Sequence, residues 1–161
     1  MQQLSDNLVR TMKELIKNDG LVRLIANDTA KPFDTTVANP SSLLMTRIHP
    51  VPFDIEATTL DGTFLRIYYN QGTVGGEEVI TESQIHIDIV CSRNLWLIND
   101  TDGSSKIRPY EIMDRVIDML GKNSSNPYLR LEFDGFQHLY INTKFDCVRL
   151  YANYWEIETQ L

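Results

Sequence analysis

Few side chains in this 161-residue chain are typed and spaced for chemistry. His86 and Asp88 lie two residues apart in the alternating segment Gln84 to Cys91, so they share one face of a strand. A His/Asp pair at i, i+2 suits a metal ion or a proton relay. A metal needs three or four converging ligands. The other histidines, His49 in a proline-rich stretch and His138 beside Leu139, are not placed to supply them. The pair is therefore expected to be exposed polar residues of a sheet face, with a small metal-dependent enzyme centred on His86 and Asp88 as the alternative of a different class. Cys91 and Cys147 have neither CxxC spacing nor histidines around them and read as reduced, buried or half-buried thiols. Asp100-Thr101-Asp102-Gly103 resembles part of a calcium loop, but Ile98 and Pro109 stand where that loop requires carboxylates, so it reads as a turn. Gly121-Lys122-Asn123 lacks the rest of a phosphate loop, and Gly75-Gly76 is followed by Glu77 and Glu78, which repel phosphate. There is no G-x-S-x-G elbow. Catalytic residues, a metal and cofactors are all expected to be absent.

Late aromatics, Tyr140, Phe145, Tyr151, Tyr154 and Trp155, are interleaved with Lys144 and Arg149, a pattern that can stack bases. The acids Glu132, Asp134, Asp146, Glu156 and Glu158 in the same region favour cross-strand packing instead. The whole chain carries 15 basic and 22 acidic residues, a formal charge of −7, which lacks the basic footprint of a nucleic-acid-binding domain. The charge is uneven: Pro32 to Lys106 holds four basic residues against ten acidic ones. An apolar fraction of 42% and a charged fraction of 23% exclude disordered and fibrous classes. No window approaches the 18 or so consecutive apolar residues of a membrane span, and Met1 to Val9 has no apolar core of a signal peptide. Two cysteines without a framework suit a reducing compartment.

The length predicts one domain over 1–161. Ser5 as N-cap, then Leu8, Met12, Leu15 and Ile16, predict an amphipathic helix over Asp6 to Lys17, ended by Asn18-Asp19-Gly20. Leu21 to Ala26 adds a turn or two. Lys31 to Pro52 carries Pro32, Pro40, Pro50 and Pro52 and is expected to run as a long arm on its own or a neighbouring subunit through Leu43, Leu44, Met45 and Ile48. Strands are expected at Phe53 to Thr58 and Thr63 to Tyr69 around an Asp61-Gly62 hairpin turn. Gln71 to Glu78 reads as a flexible acidic loop, followed by the strand Gln84 to Cys91. Pro109 to Leu120 has the clearest helical stripe, Ile112, Met113, Val116, Ile117 and Leu120, with Gly121 as its stop. Tyr128 to Phe133, an Asp134-Gly135 turn, Gln137 to Asn142 and Asp146 to Ile157 close the chain as strands. The sum is an α+β fold, a mainly antiparallel sheet packed on one face by about two amphipathic helices.

Several stretches resemble a known family: Arg47-Ile48-His49-Pro50-Val51-Pro52-Phe53-Asp54, Ile85 to Cys91 running into Asn94-Leu95-Trp96-Leu97-Ile98, and Ile107-Arg108-Pro109-Tyr110-Glu111-Ile112-Met113. With Leu139 to Asn142 and Phe145 to Tyr154 they are similar to proteins of the head-to-tail junction of long-tailed bacteriophages, nearest in type to the tail terminator, or tail completion protein. The resemblance implies an N-terminal helix, an antiparallel sheet, a helix after the central strands and a final β-hairpin, in a subunit that closes into a hexameric ring on the tail tube. It implies no active site. Its implied partners are further copies, the tail tube protein, a neck or head-completion protein and the tail sheath, in a virion assembled in the host cytoplasm. DNA passes through without being specifically bound. Candidate contact residues are Leu43, Leu44, Met45, Ile48, Val74, Glu77, Glu78 and Trp96. Another neck or head-completion protein is the alternative within the class.

Overall fold

A computed structural model describes residues 4–78, 80–126 and 129–154. It has the expected α+β architecture, a mainly antiparallel sheet with helices on one face. Helix α1 spans Leu4–Leu15, burying Thr11, Met12 and Leu15. It already includes Ser5, so that residue is not its N-cap. Asn18-Asp19-Gly20 opens helix α2, Asp19–Ala26, instead of only ending α1: Asn18 caps it by accepting a hydrogen bond from the Leu21 N–H at 2.8 Å, and Asp19 pairs with Arg23 one turn on.

The proline-rich stretch is no free arm. It folds into two 3-10 turns, Pro32–Asp34 and Pro40–Leu43, and the two-residue strand β1, Ile48–His49. Prolines start both turns, where the missing N–H costs nothing. The stretch is fastened to its own chain: Asn27 Nδ2 donates to the carbonyls of Pro32 and Thr35, Arg23 Nη1 to that of Phe33, and Arg47 grips Asp28 in a two-point pair at 3.1 and 2.8 Å. Leu43 and Ile48 enter the core beside the sheet.

Strands β2, Thr63–Val74, and β3, Ile80–Ser92, form a long antiparallel hairpin, and β6, Leu131–Tyr140, and β7, Phe145–Tyr154, a second. Their sheet has the order β1-β2-β3-β7-β6, with β1 parallel to β2. A small ribbon, β4, Leu97–Asn99, with β5, Ser105–Ile107, stands apart. Four sequence expectations are corrected here. Residues 53–58 form no strand, and Asp61-Gly62 makes no hairpin, because Gly62 is tied to Ser92 across the sheet through two hydrogen bonds of the serine hydroxyl and a third between backbones. Gln71 to Glu78 is a turn only from Gly75 onward, since β2 runs through to Val74. Asp134-Gly135 is a bulge inside β6, where the register with β7 shifts between Phe133 and Gly135.

Helix α3, Arg108–Leu120, lies on the same face as α1 and α2 and packs on β3 and β7. Leu65, Ile67, Ile85, Ile87, Ile89, Val148 and Leu150 meet Ile112, Val116 and Leu120 there. Each such side chain contributes roughly 1.5–3 kcal/mol on burial. Ile117 departs from the expected stripe and is only half-buried at its margin. Gly121 ends the helix with φ −86°, not in a left-handed conformation; a Cβ there would stand 2.6 Å from the Ile117 carbonyl oxygen. Val116→Asp should therefore abolish the cooperative melt, since an unpaired buried charge costs about as much as a whole domain's stability. Ile117→Asp should retain a melting transition, because its carboxylate can turn to water. Circular dichroism on both variants checks the pair.

Candidate functional site

Among the described residues the second face of the sheet carries no helix. Its register brings Arg66, Asp88 and Arg149 into one row across β2, β3 and β7, and Tyr68, His86 and Tyr151 into the next. Asp88 is fully buried and His86 is 5% exposed, so neither is the exposed polar residue expected from alternation. The physical reason is cover: Phe53 to Thr59 crosses over part of this face. Arg66 Nη1 donates to the Phe53 carbonyl at 2.7 Å, Asn142 Nδ2 to that of Ile55 at 2.8 Å and Lys144 Nζ to that of Thr59. Ile55 joins Val90, Phe145 and Cys147 in a small second core.

Asp88 is held by two arginines. Its Oδ2 accepts from Arg66 Nε and Nη2 at 3.1 and 2.8 Å, its Oδ1 from Arg149 Nε at 2.7 Å, and its Oδ2 again from Arg149 Nη2 at 3.1 Å. The Tyr68 hydroxyl donates to Asp88 at 3.2 Å and accepts from Arg149 Nη2 at 2.9 Å. Hydrogen bonds to Asp88 hold the Arg149 guanidinium above its ordinary range, and burial pushes the Tyr68 phenol up. With both oxygens occupied by guanidinium donors, this carboxylate is a structural anchor carrying one negative charge between two positive ones. It does not face an open ligand position with His86. Among the described residues no group of three His, Cys, Asp or Glu gathers as a metal cage.

The His86 ring meets the Tyr151 ring edge-on at a centroid distance of 4.9 Å and Tyr68 at 5.5 Å, while its Nε2 is buried without a hydrogen-bond partner. Burial, and then the nearby Arg149 charge, pull its pKa below the usual histidine value. The folded protein thus keeps His86 neutral at pH values where the unfolded chain takes up a proton. Stability should therefore fall as pH drops through and below about 6.5. His86→Phe should flatten this slope in melting temperature between pH 7 and 5; an unchanged slope would assign it elsewhere.

Both cysteines are buried thiols, as expected, pushed by desolvation up to about 11 for Cys91 and about 12 for Cys147. At neutral pH they carry almost no thiolate, the form a nucleophile requires. Asp100 to Gly103 is the expected turn, closed by the Gly103 N–H on the Asp100 carbonyl at 2.9 Å.

The candidate contact residues separate into three places. Val74, Glu77 and Glu78 stand exposed at the tip of the β2–β3 hairpin. Trp96 packs against the main core: half-buried, it donates to the Cys91 carbonyl at 3.3 Å and stacks on His138 of β6 at 5.6 Å. Leu43 and Ile48 are core residues of their own subunit and Leu44 packs partly against that core, which withdraws them as a contact surface. Only Met45 of that group projects outward, at 60% exposure and φ +66°. Of the late aromatics, Tyr151 and Tyr154 pack on His86 and Tyr69, Phe145 is buried, and Tyr140 is exposed with Arg93 over its ring; Trp155 lies outside the described residues.

Sequence reasoning missed Arg108. It is fully buried, with Nε donating to the Leu95 carbonyl at 2.8 Å, Nη1 to those of Leu24 and Asn27 at 2.5 and 3.1 Å, and Nη2 to that of Thr29 at 2.5 Å. Its signal was available only as a charged residue directly before the helix-opening Pro109.

Fold and surfaces together define a class: an α+β sandwich with, among the described residues, three helices on one sheet face, a buried ionic row on the other, and exposed apolar side chains at a hairpin tip and along one edge. Within that class the chain belongs to the YomW family, whose model matches residues 18–154. That family name is phage-derived, of the Bacillus phage SPbeta type, and fits a bacteriophage protein. A comparison with curated proteins finds no match.

Proposed function

We propose that this phage protein is a structural component of the head–tail junction, the tail terminator, which caps the tail tube as a ring and joins it to the neck. The observation that carries this reading is the order of elements. N-terminal helices, the central β2–β3 strands, a helix after them and the closing β6–β7 hairpin occur in the order that the resemblance implies. The acidity of the chain supports it further, because a ring around passing DNA works best if its surfaces do not hold a polyanion. In this reading the partners are further copies of the chain, the tail tube protein, a neck or head-completion protein and the tail sheath, all within the virion. No catalysis and no cofactor are involved.

Electron microscopy of the protein mixed with tails tests the proposal. An annular cap at the head-proximal end is the expected result. Tails that remain bare at saturating protein, or a cap at the other end, would overturn it.

A further inference from the structure

The sheet has two strand edges that nothing among the described residues covers. β1 pairs with β2 only at Leu65 and Arg66, leaving 67–74 bonded on the β3 side alone, and β6 is the last strand on the opposite side. The direction of the free groups follows from the ladder. Leu65 N–H bonds to the Arg47 carbonyl, Ser92 N–H to Gly62 and Arg93 N–H to Lys144. Alternation from these bonds turns the N–H and C=O groups of Ile67 and Tyr69 outward on β2, and those of Phe136, His138 and Tyr140 outward on β6.

Sheet proteins usually guard such edges with lysine, proline, charge or a bulge. The first half of β6 is guarded by Glu132, Asp134 and the Phe133/Gly135 bulge. Residues 135–140 and 67–74 contain no Asp, Glu, Lys, Arg or Pro; β2 shifts register between Tyr69 and Gln71 and again between Thr73 and Val74, so its regular bare stretch is Ile67 to Tyr69. The bare half of β6 also presents Phe136 at 58% and Tyr140 at 70% exposure.

We propose that the bare edge of β6 in one copy pairs antiparallel with the bare edge of β2 in a second copy, so that the sheet continues from subunit to subunit. This rests on the ring reading above and specifies its joint. Directions alternate across β2, β3, β7 and β6, and another copy's β2 is the strand that continues the alternation. Two different edges meeting form a heterologous contact, the kind that closes by rotation.

Two variants test the joint by native mass spectrometry. Phe136→Pro removes an outward N–H and no bond within the subunit's own sheet, and Phe136→Lys leaves every backbone group in place. Asn70→Lys with Thr73→Lys charges the other edge. Each variant with a wild-type-like melt should lose the ring and run as a monomer, while a mixture of a β6-edge and a β2-edge variant should give dimers through the one intact joint. Rings that persist in the folded variants would overturn the pairing and leave the ring reading standing. A wild-type chain that forms no ring, alone or on tails, would overturn both.

Discussion

Asp88→Asn should lower the melting temperature by about 10 °C or more. The substitution keeps the shape of the side chain and removes its charge, leaving Arg66 and Arg149 facing each other in the buried row with no anion between them. Breaking a buried ionic group by removing one member costs about 3–5 kcal/mol, and in a chain of this size each kcal/mol moves the transition by about 2–4 °C. The loss would also reach the crossing segment, because Arg66 reaches the Phe53 carbonyl with the same guanidinium that holds Asp88. Replacing Arg66, Asp88 and Arg149 together by leucine should recover much of the stability, since no charge then remains in the row. A thermal melt of Asp88→Asn that overlays the wild type would show that the row contributes little to stability.

Arg108→Ala should be comparably severe. The guanidinium satisfies the carbonyls of Leu24, Asn27, Thr29 and Leu95, and those of Leu24 and Asn27 lie at the C-terminal end of α2, where the helix dipole is negative. Burial makes its proton easier to lose, yet the cation is retained by carbonyl oxygens in place of a carboxylate. Alanine would leave buried acceptors without donors, at about 1–3 kcal/mol each where water does not reach them, and a cavity besides. A loss of at least about 3 kcal/mol in urea unfolding is expected. Arg108→Lys should recover only part of it, since a single ammonium cannot reproduce the fork. Full stability in Arg108→Lys would indicate that charge alone suffices.

The legible parts of this fold were those where one local rule suffices. Ile85, Ile87 and Ile89 alternate without interruption and lie in the core. The stripe of α3 was readable to within one residue, Ile117, which sits at the margin where periodicity cannot distinguish half-burial from burial. Asp61-Gly62 and Asp134-Gly135 have hairpin chemistry, but tertiary context decided otherwise: Ser92 captured the first, and β7 continued past the second as a bulge. The prolines correctly indicated irregular backbone, and only the pairs Arg47–Asp28 and Asn27 with Pro32 and Thr35 reveal that it is bound down. His86 and Asp88 illustrate the hardest case. A polar residue on an alternate strand position looks solvent-facing until the partners of other strands are known, and Arg66 and Arg149 stand 22 and 61 residues away from Asp88.

The bonds of Arg108 to Leu24, Asn27 and Thr29 span 79 to 84 positions of chain. Contacts so distant in sequence form slowly and demand that all intervening chain be present. During synthesis the first two helices therefore emerge long before the residue that anchors them, and their apolar faces wait for more than half of the polypeptide. Pulse-labelled hydrogen exchange during refolding should accordingly find the amides of 21–25 protected no earlier than those of α3; protection of 21–25 first would show that the N-terminal helices settle on their own.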